Sequence, residues 1–278
     1  MKKLISATLV VFTLFTTATT LALTPVPVKL KPKAQATFDK MYVSISKDTD
    51  TVKIQKLNAG LNKLVGKQAM YVTLDPSKEA VKTLILQKIE ELNAKNPTTY
   101  AGCNKPDIAV GRMVFSACNV GSTIAGTGSE SFGSYFTFGT GMTIENLDWK
   151  KYSAGWKSKW TEKDRGMCNV NYHIPTKEEF KELFSYDSCK LETGVSNKNQ
   201  SCGSSIASKL LIPSAGYYYG KNGFKAVPYG IFWTSNENEK GSAWKFKINL
   251  NNADKDYGYS ALSTDSKING LSVRCIKD

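Results

Sequence analysis

The chain has 278 residues, six cysteines, one histidine and a formal charge of +13, with 37 lysines and arginines against 24 acids. Only Arg112, Arg165 and Arg274 offer the forked guanidinium that grips phosphates and base edges, and the lysines are scattered among acids and asparagines, which argues against nucleic acid as a partner. What remains is a salt-screened attraction to anionic surfaces such as acidic polysaccharide or membrane, and a zinc site is disfavoured because no Cys-x2-Cys pair exists to join the lone histidine.

Lys2 and Lys3 precede an apolar run over residues 4–16, and Thr20 and Ala22 supply small residues at the −3 and −1 positions of a cleavage site. This pattern predicts a signal peptide over residues 1–22. The apolar run is shorter than the roughly 20 residues a membrane helix needs, no cysteine follows it to carry a lipid, and no later segment is apolar enough to span. The mature chain is therefore expected to be exported (periplasmic, cell-surface or secreted) without a transmembrane segment. Residues 23–50 read as an extended tether, opened by alternating proline and lysine over 24–33.

A helical region is predicted over residues 51–98. Val52, Ile54, Leu57, Leu61, Leu64 and Val65 recur at helical spacing, interrupted by Gly60. Asp75 reads as an N-cap with Pro76 in the first turn, and Val81, Leu84, Ile85, Ile89 and Leu92 form the apolar stripe of a second helix. A hairpin this short buries little alone, so its stripe is expected to dock on the larger domain or on a partner. Residues 96–99 (NPTT) mark a boundary.

Residues 101–278 read as a disulfide-bonded domain of short strands and long loops, α+β in class. One helix is clearly signalled: Thr176 and Glu179 form a capping box, followed by Phe180, Leu183 and Phe184 on the buried face. Residues 216–223 (GYYYGKNG) predict a strand ending in a turn. Phe232 and Trp233 make a short apolar stretch before a polar loop over 234–241. Trp244, Phe246, Ile248 and Leu250 alternate with Lys245, Lys247 and Asn249 as in a half-buried strand, and Leu271, Val273 and Cys275 alternate with Ser272 and Arg274 in a last strand. All six cysteines (Cys103, Cys118, Cys168, Cys189, Cys202 and Cys275) lie in this domain, and their even count suggests three bridges formed in an oxidising compartment. The favoured pairing joins Cys103 to Cys118 and Cys189 to Cys202, each closing a short loop, and Cys168 to Cys275; geometry decides among the alternatives.

A set of short motifs carries a resemblance when taken in order. Residues 117–121 (ACNVG) and 133–136 (GSYF) come first, then Ile174, Pro175 and Thr176 opening the Glu178, Glu179, Phe180 helix. Residues 212–217 (IPSAGY), 232–235 (FWTS), Ala243 with Trp244, and 272–275 (SVRC) follow. From about residue 105 to 278 the chain resembles the Fibrobacter succinogenes major paralogous domain and is similar to the C-terminal domain of Legionella collagen-like proteins. The resemblance implies a C-type-lectin-like fold related to the formylglycine-generating, sulfatase-modifying domain, with twisted antiparallel sheets, one or two helices and long ligand-presenting loops. Members are typically exported. The fold hosts lectins, adhesins, receptors and oxidases, so it sets no function by itself.

The residues present carry little of the chemistry known on that fold. Formylglycine-generating enzymes use a close pair of cysteines near the C-terminal end, whereas here Cys275 stands alone and the preceding cysteine is Cys202. The proline and Trp-Asn-Asp triplets of calcium-dependent lectins are absent. Asn236, Glu237 and Asn238 offer oxygen ligands, but a hard-cation site usually needs several carboxylates, so a solvated loop is favoured. His173 is expected to be structural, no Gly-x-Ser-x-Gly elbow exists, residues 126–141 lack the ending of a phosphate loop, and Glu178 and Glu179 diverge on their helix. No catalytic residue, metal or cofactor is assigned. Tyr217, Tyr218, Tyr219, Tyr229, Phe232 and Trp233 suggest an aromatic surface of the kind that stacks on sugars or anchors proteins, with alternate rings turned to the core and Tyr257 joining from a loop. The candidate ligand contacts are Tyr217, Tyr219, Tyr229, Trp233, Asn236, Glu237, Asn238 and Tyr257. The expected function is recognition of a glycan or protein at the cell surface or envelope. The alternatives are a non-binding envelope-assembly protein and, less favoured, a sulfatase-modifying-type enzyme.

Overall fold

Helical structure begins inside the stretch expected to be a tether. The computed structural model describes residues 32–66, 74–95, 98–146, 159–186, 204–239, 241–250 and 261–278, and helix α1 spans Pro32–Ser44. Pro32 suits a first helical turn, where its missing N–H costs nothing. Ala34, Phe38 and Met41 follow at helical spacing, with Ala34 and Phe38 buried and Met41 packed against the same core. The tether reading thus fails for residues 32–44, because the proline that seemed to keep the chain extended instead starts a helix. The expected signal peptide lies outside the described residues.

Helices α2 (Asp50–Val65) and α3 (Pro76–Lys95) follow. Thr49 caps α2 by accepting from the Val52 amide, and Asp75 caps α3 by accepting from the amides of Ser77 and Lys78 at 3.2 and 3.1 Å. Gly60 does not interrupt α2. A Cβ there would stand 3.0 Å from Met41 Sδ, so the glycine lets α1 approach closely. Phe38, Leu57, Leu61, Ile85, Ile89 and Leu92 share one core beneath the three helices.

The remainder is α+β. In chain order it contains β1 (Ile108–Val110), β2 (Met113–Phe115), β3 (Tyr172–His173), α4 (Lys177–Ser185), α5 (Ser204–Lys209), β4 (Tyr217–Tyr218), β5 (Phe224–Lys225), β6 (Tyr229–Glu239), β7 (Ser242–Asn249), β8 (Ala261–Ser266) and β9 (Ile276–Lys277). Among the described residues the strands form three antiparallel sheets: β1-β2-β9-β3, the hairpin β4-β5, and β6-β7-β8. The capping box on α4 is present as expected, with Thr176 and Glu179 bonded reciprocally.

Strand alternation positions two cores. On β6 and β7, Phe232, Phe246 and Ile248 turn to one side and pack with Phe115, Phe180 and Leu183. Phe180 stacks on Phe246 with centroids 4.2 Å apart. Ile231 and Trp233 turn to the other side, against Phe138, Trp160, Leu271 and Val273. Because the sheet is covered on both faces there, the polar stretch after Trp233 is not the expected loop: β6 continues to Glu239, with register shifts after Trp233 and Glu237.

The expected in–out alternation near the C-terminal end also fails. Leu271, Ser272, Val273, Arg274 and Cys275 are all buried, and regular pairing starts only at Ile276. Arg274 explains how a charged side chain is tolerated there. Its Nε donates to Asn119 Oδ1 at 2.8 Å, and its Nη1 donates to the carbonyls of Ser116, Ala117 and Leu210 at 3.0, 2.8 and 2.9 Å. Burial lowers its pKa.

Cys103–Cys118 and Cys168–Cys275 are disulfides, matching two of the expected pairs. The third pair, Cys189 with Cys202, falls outside the described residues. The apolar stripe of α3 packs mainly into the core it shares with α1 and α2 rather than onto the sheets, and residues 31–278 form one compact unit. The contact between the helices and the sheet domain is polar at its rim. Glu90 of α3 accepts from the Gly111 amide at 2.7 Å and from Lys209. Arg112 grips Glu182 of α4 with two bonds of 2.7 and 2.8 Å and reaches Asn62 of α2 at 3.3 Å. The Tyr186 ring packs against the cores of both layers, and its hydroxyl donates to Glu182 at 2.9 Å. Among the described residues no helix is long and apolar enough to cross a membrane.

Candidate ligand-binding surface

The hairpin β4–β5 displays two faces. Tyr218 pairs with Phe224, and these rings close a triangle with Tyr135 at centroid separations of 5.1, 5.4 and 5.8 Å. Tyr217 pairs with Lys225 and so shares the opposite face with it, and Lys225 Nζ stands 4.5 Å over the ring of Tyr219. Tyr219 and Phe224 are each 45% exposed, an unusual degree for large rings.

The strip continues onto the neighbouring sheet. Tyr229 opens β6, and its ring lies 4.9 Å below Lys247 of β7. Tyr217 and Tyr229 both pack against the edge of the second core. The Tyr217 phenol is pushed above its ordinary pKa by burial first, then by Tyr229, Asp265 and Tyr219. Lys247 is held below the ordinary lysine range by burial and then by the charge of Lys245. Lys245 itself pairs with Asp265.

The expected contacts therefore divide. Tyr217, Tyr219 and Tyr229 share one surface, with Tyr217 and Tyr229 half-buried and Tyr219 exposed. Trp233 is removed from it: the indole is fully buried, its Nε1 donates to the Phe136 carbonyl at 2.7 Å, and its ring meets Phe138 edge-on at 5.5 Å. Its neighbour in sequence hid this, because both faces of β6 are buried at that level. Asn236, Glu237 and Asn238 do not converge. Asn236 Oδ1 accepts from the Lys177 amide at the start of α4 at 2.7 Å, and Asn238 Nδ2 donates to Ser242 at 3.2 Å. Glu237 bonds Lys267, which holds its carboxyl below the usual range, with Lys159 3.7 Å away. Among the described residues no group of three or more histidine, cysteine, aspartate or glutamate side chains is arranged to hold a metal. Tyr257 lies outside the described residues. Lys225, Phe224 and Lys247 were missed by sequence reasoning. The alternation of β7 marked Lys247 as facing away from Phe246, but nothing local marked what lay above it.

His173 is buried between two carboxylates. Its Nδ1 is 2.6 Å from Asp278 Oδ1 and its Nε2 is 3.1 Å from both oxygens of Glu179. Burial works against the charged imidazole, but hydrogen bonding to and the charge of Glu179, then those of Asp278, more than offset it and raise the pKa. Glu179 is in turn held low: burial opposes its ionisation, and His173, Thr176 and Lys163 outweigh that. With both ring nitrogens engaged, the cluster clasps β3, α4 and the end of β9.

Residues 119–267 match the family described as Domain of unknown function (DUF8237). The chain belongs to this family. No curated protein and no solved structure matches it. The DUF8237 stretch opens at Asn119, the partner of Arg274, and closes at Lys267 after β8. It contains every residue of the tyrosine–lysine strip, whereas the three-helix layer lies outside it.

Proposed function

We propose that this protein is an exported recognition module whose C-type-lectin-like domain binds a glycan or a protein through Tyr217, Tyr219 and Tyr229. The observation that carries the proposal is the run of incompletely buried aromatic rings across two adjacent sheets. Large rings are turned toward solvent where they have work to do at an interface, because each costs hydrophobic stabilisation when left exposed. Two disulfides and a compact double core brace the strands beneath, which lowers the entropy lost on binding. The bridges and the signal-like segment over residues 1–22 support export. The α+β architecture of short antiparallel sheets, two helices and long connections supports the lectin-like assignment.

The test is a binding screen of residues 23–278 against glycans, peptidoglycan fragments and matrix proteins, with and without EDTA. A hit that survives moderate salt and weakens in Tyr219→Ala or Tyr229→Ala, with far-UV circular dichroism unchanged, supports the proposal. If every hit is indifferent to both substitutions, the strip is not a binding surface. The scaffold alternative then gains, and it would draw on the helical layer, where Val43 is 69% exposed on α1.

A further inference from the structure

We infer that Asn222, in the turn of the β4–β5 hairpin, is a site of spontaneous deamidation, and that the fold shields Asn269 from the same reaction. This concerns the chain's own chemistry and does not rest on the recognition proposal.

The sequence contains two asparagines followed by glycine, Asn222–Gly223 and Asn269–Gly270. Asparagine is thermolabile, and a following glycine leaves its own amide nitrogen unhindered, because it has no Cβ. At the first pair, the Gly223 nitrogen attacks Asn222 Cγ. The new N–Cγ bond closes a five-membered imide, the Cγ–Nδ2 bond breaks, and Nδ2 leaves as ammonia with the amide proton. Water from the solvent then adds at either imide carbonyl and breaks its bond to nitrogen. Opening at one carbonyl gives aspartate. Opening at the other gives isoaspartate, whose backbone is one methylene longer. Nothing is oxidised or reduced.

The two pairs have opposite surroundings. Asn222 is exposed and ends a short 3-10 turn over Gly220–Asn222. The Asn222 amide donates to the Tyr219 carbonyl and the Tyr219 amide to the Gly223 carbonyl, both at 3.0 Å. Single bonds of this kind at an exposed turn open locally at little cost. A Cβ on Gly223 would meet nothing within 4 Å, so the approach to its nitrogen is clear. Its φ of 92° also requires glycine, which builds the labile pair into the turn.

Asn269 is 1% exposed. Its Nδ2 donates to Asp265 Oδ1 at 2.6 Å, which anchors the leaving group. The nitrogen that would attack, that of Gly270, donates to the Tyr218 carbonyl at 2.9 Å, and the Tyr218 amide returns a bond of 2.9 Å to the Gly270 carbonyl. Ile144 closes the site, since a Cβ on Gly270 would stand 2.7 Å from it. Reaction there requires β4 to separate from residue 270 and water to enter. The hairpin that carries the reactive pair thus seals the other.

The product puts a carboxylate between Lys221 and Lys225, and isoaspartate lengthens the turn that the Tyr219–Gly223 bond spans. Ageing at one residue therefore alters the hairpin that presents Tyr219.

The experiment holds the oxidised protein at 37 °C in mildly alkaline buffer for two weeks and maps its peptides by mass spectrometry. Digestion in water enriched in oxygen-18 gives a heavier label to any deamidation that occurs during handling. The expected result is an unlabelled gain of one mass unit at Asn222, with isoaspartate present, at least about tenfold faster than at Asn269. In the reduced, urea-unfolded chain both positions should convert at comparable rates. Asn222→Gln should abolish the fast gain with circular dichroism unchanged. Conversion of Asn222 no faster than that of Asn269 in the folded protein overturns the inference, as does a gain that carries only the handling label. A tenfold difference that persists in urea places the cause in the sequence and overturns the shielding of Asn269.

Discussion

Removing the two bridges separately should cost unequal amounts. Cys103 and Cys118 are 15 residues apart, Cys168 and Cys275 are 107 apart, and the two loops share no residue. If a bridge stabilises by restricting the unfolded chain, closing a loop of the first size contributes about 3 kcal/mol and closing one near the second about 4.7 kcal/mol. With an unfolding slope of about 3 kcal/mol/M in urea, Cys103→Ala/Cys118→Ala should lower the midpoint by about 1 M. Cys168→Ala/Cys275→Ala should lower it by about 1.6 M. Because the loops are disjoint, the fourfold variant should lose the sum within about 0.5 kcal/mol. Equilibrium unfolding followed by tryptophan fluorescence reads all three. If the short loop proves as valuable as the long one, or the losses fail to add, loop entropy is not what these bridges contribute.

The His173 clasp makes stability depend on pH in a defined direction. Since folding raises the pKa of His173, its contribution is complete below the unfolded value near 6.5 and is lost as pH rises through the folded value. His173→Gln should therefore flatten the decline in thermal midpoint above pH 6.5, and an unchanged slope would show the clasp to be irrelevant. Glu179 acts at the other end, because its depressed pKa gives stability present above about 4.5 and lost as pH falls through the folded value. Trp233→Ala should cost about 3–5 kcal/mol through an unfilled core site while leaving ligand affinity per folded molecule untouched, a contrast with Tyr219→Ala that isothermal calorimetry on refolded protein can read. Arg112→Ala strips the buried Glu182 of its bidentate partner and should cost about 2–3 kcal/mol. The loss should appear as faster hydrogen exchange where α2 and α4 meet the β1–β2 turn, and uniform exchange across the unit would count against a localised latch.

Legibility in sequence tracked how local each feature was. The capping box at Thr176 and Glu179, the N-cap of α3 at Asp75, and the alternation of Trp244, Phe246 and Ile248 depend on residues within a few positions of one another, and each appears where expected. The tether failed at Pro32 because a proline is compatible with both an extended chain and a first helical turn, and the tertiary contacts of Phe38 decided between them. Trp233 and the 271–275 segment were misjudged for a shared reason: whether a strand has one buried face or two depends on what distant segments lie across it. For the binding strip, the tyrosines were visible as a run, whereas Lys225 and Lys247 reach their rings only through hairpin pairing and sheet register.

The sheet order β1-β2-β9-β3 places a strand from the far end of the sequence between three that precede it. Any process that delivers this chain N-terminus first, synthesis included, presents β1, β2 and β3 well before the segment that joins them. Until residues 271–277 emerge, Asn119 lacks Arg274 and Cys168 lacks its bridging thiol. The domain is thus held open by its own topology, its long-range pairing slow to form, while the three-helix layer, built from contiguous sequence, can assemble first. A molecule so arranged closes this sheet only once β9 is free to enter between β2 and β3.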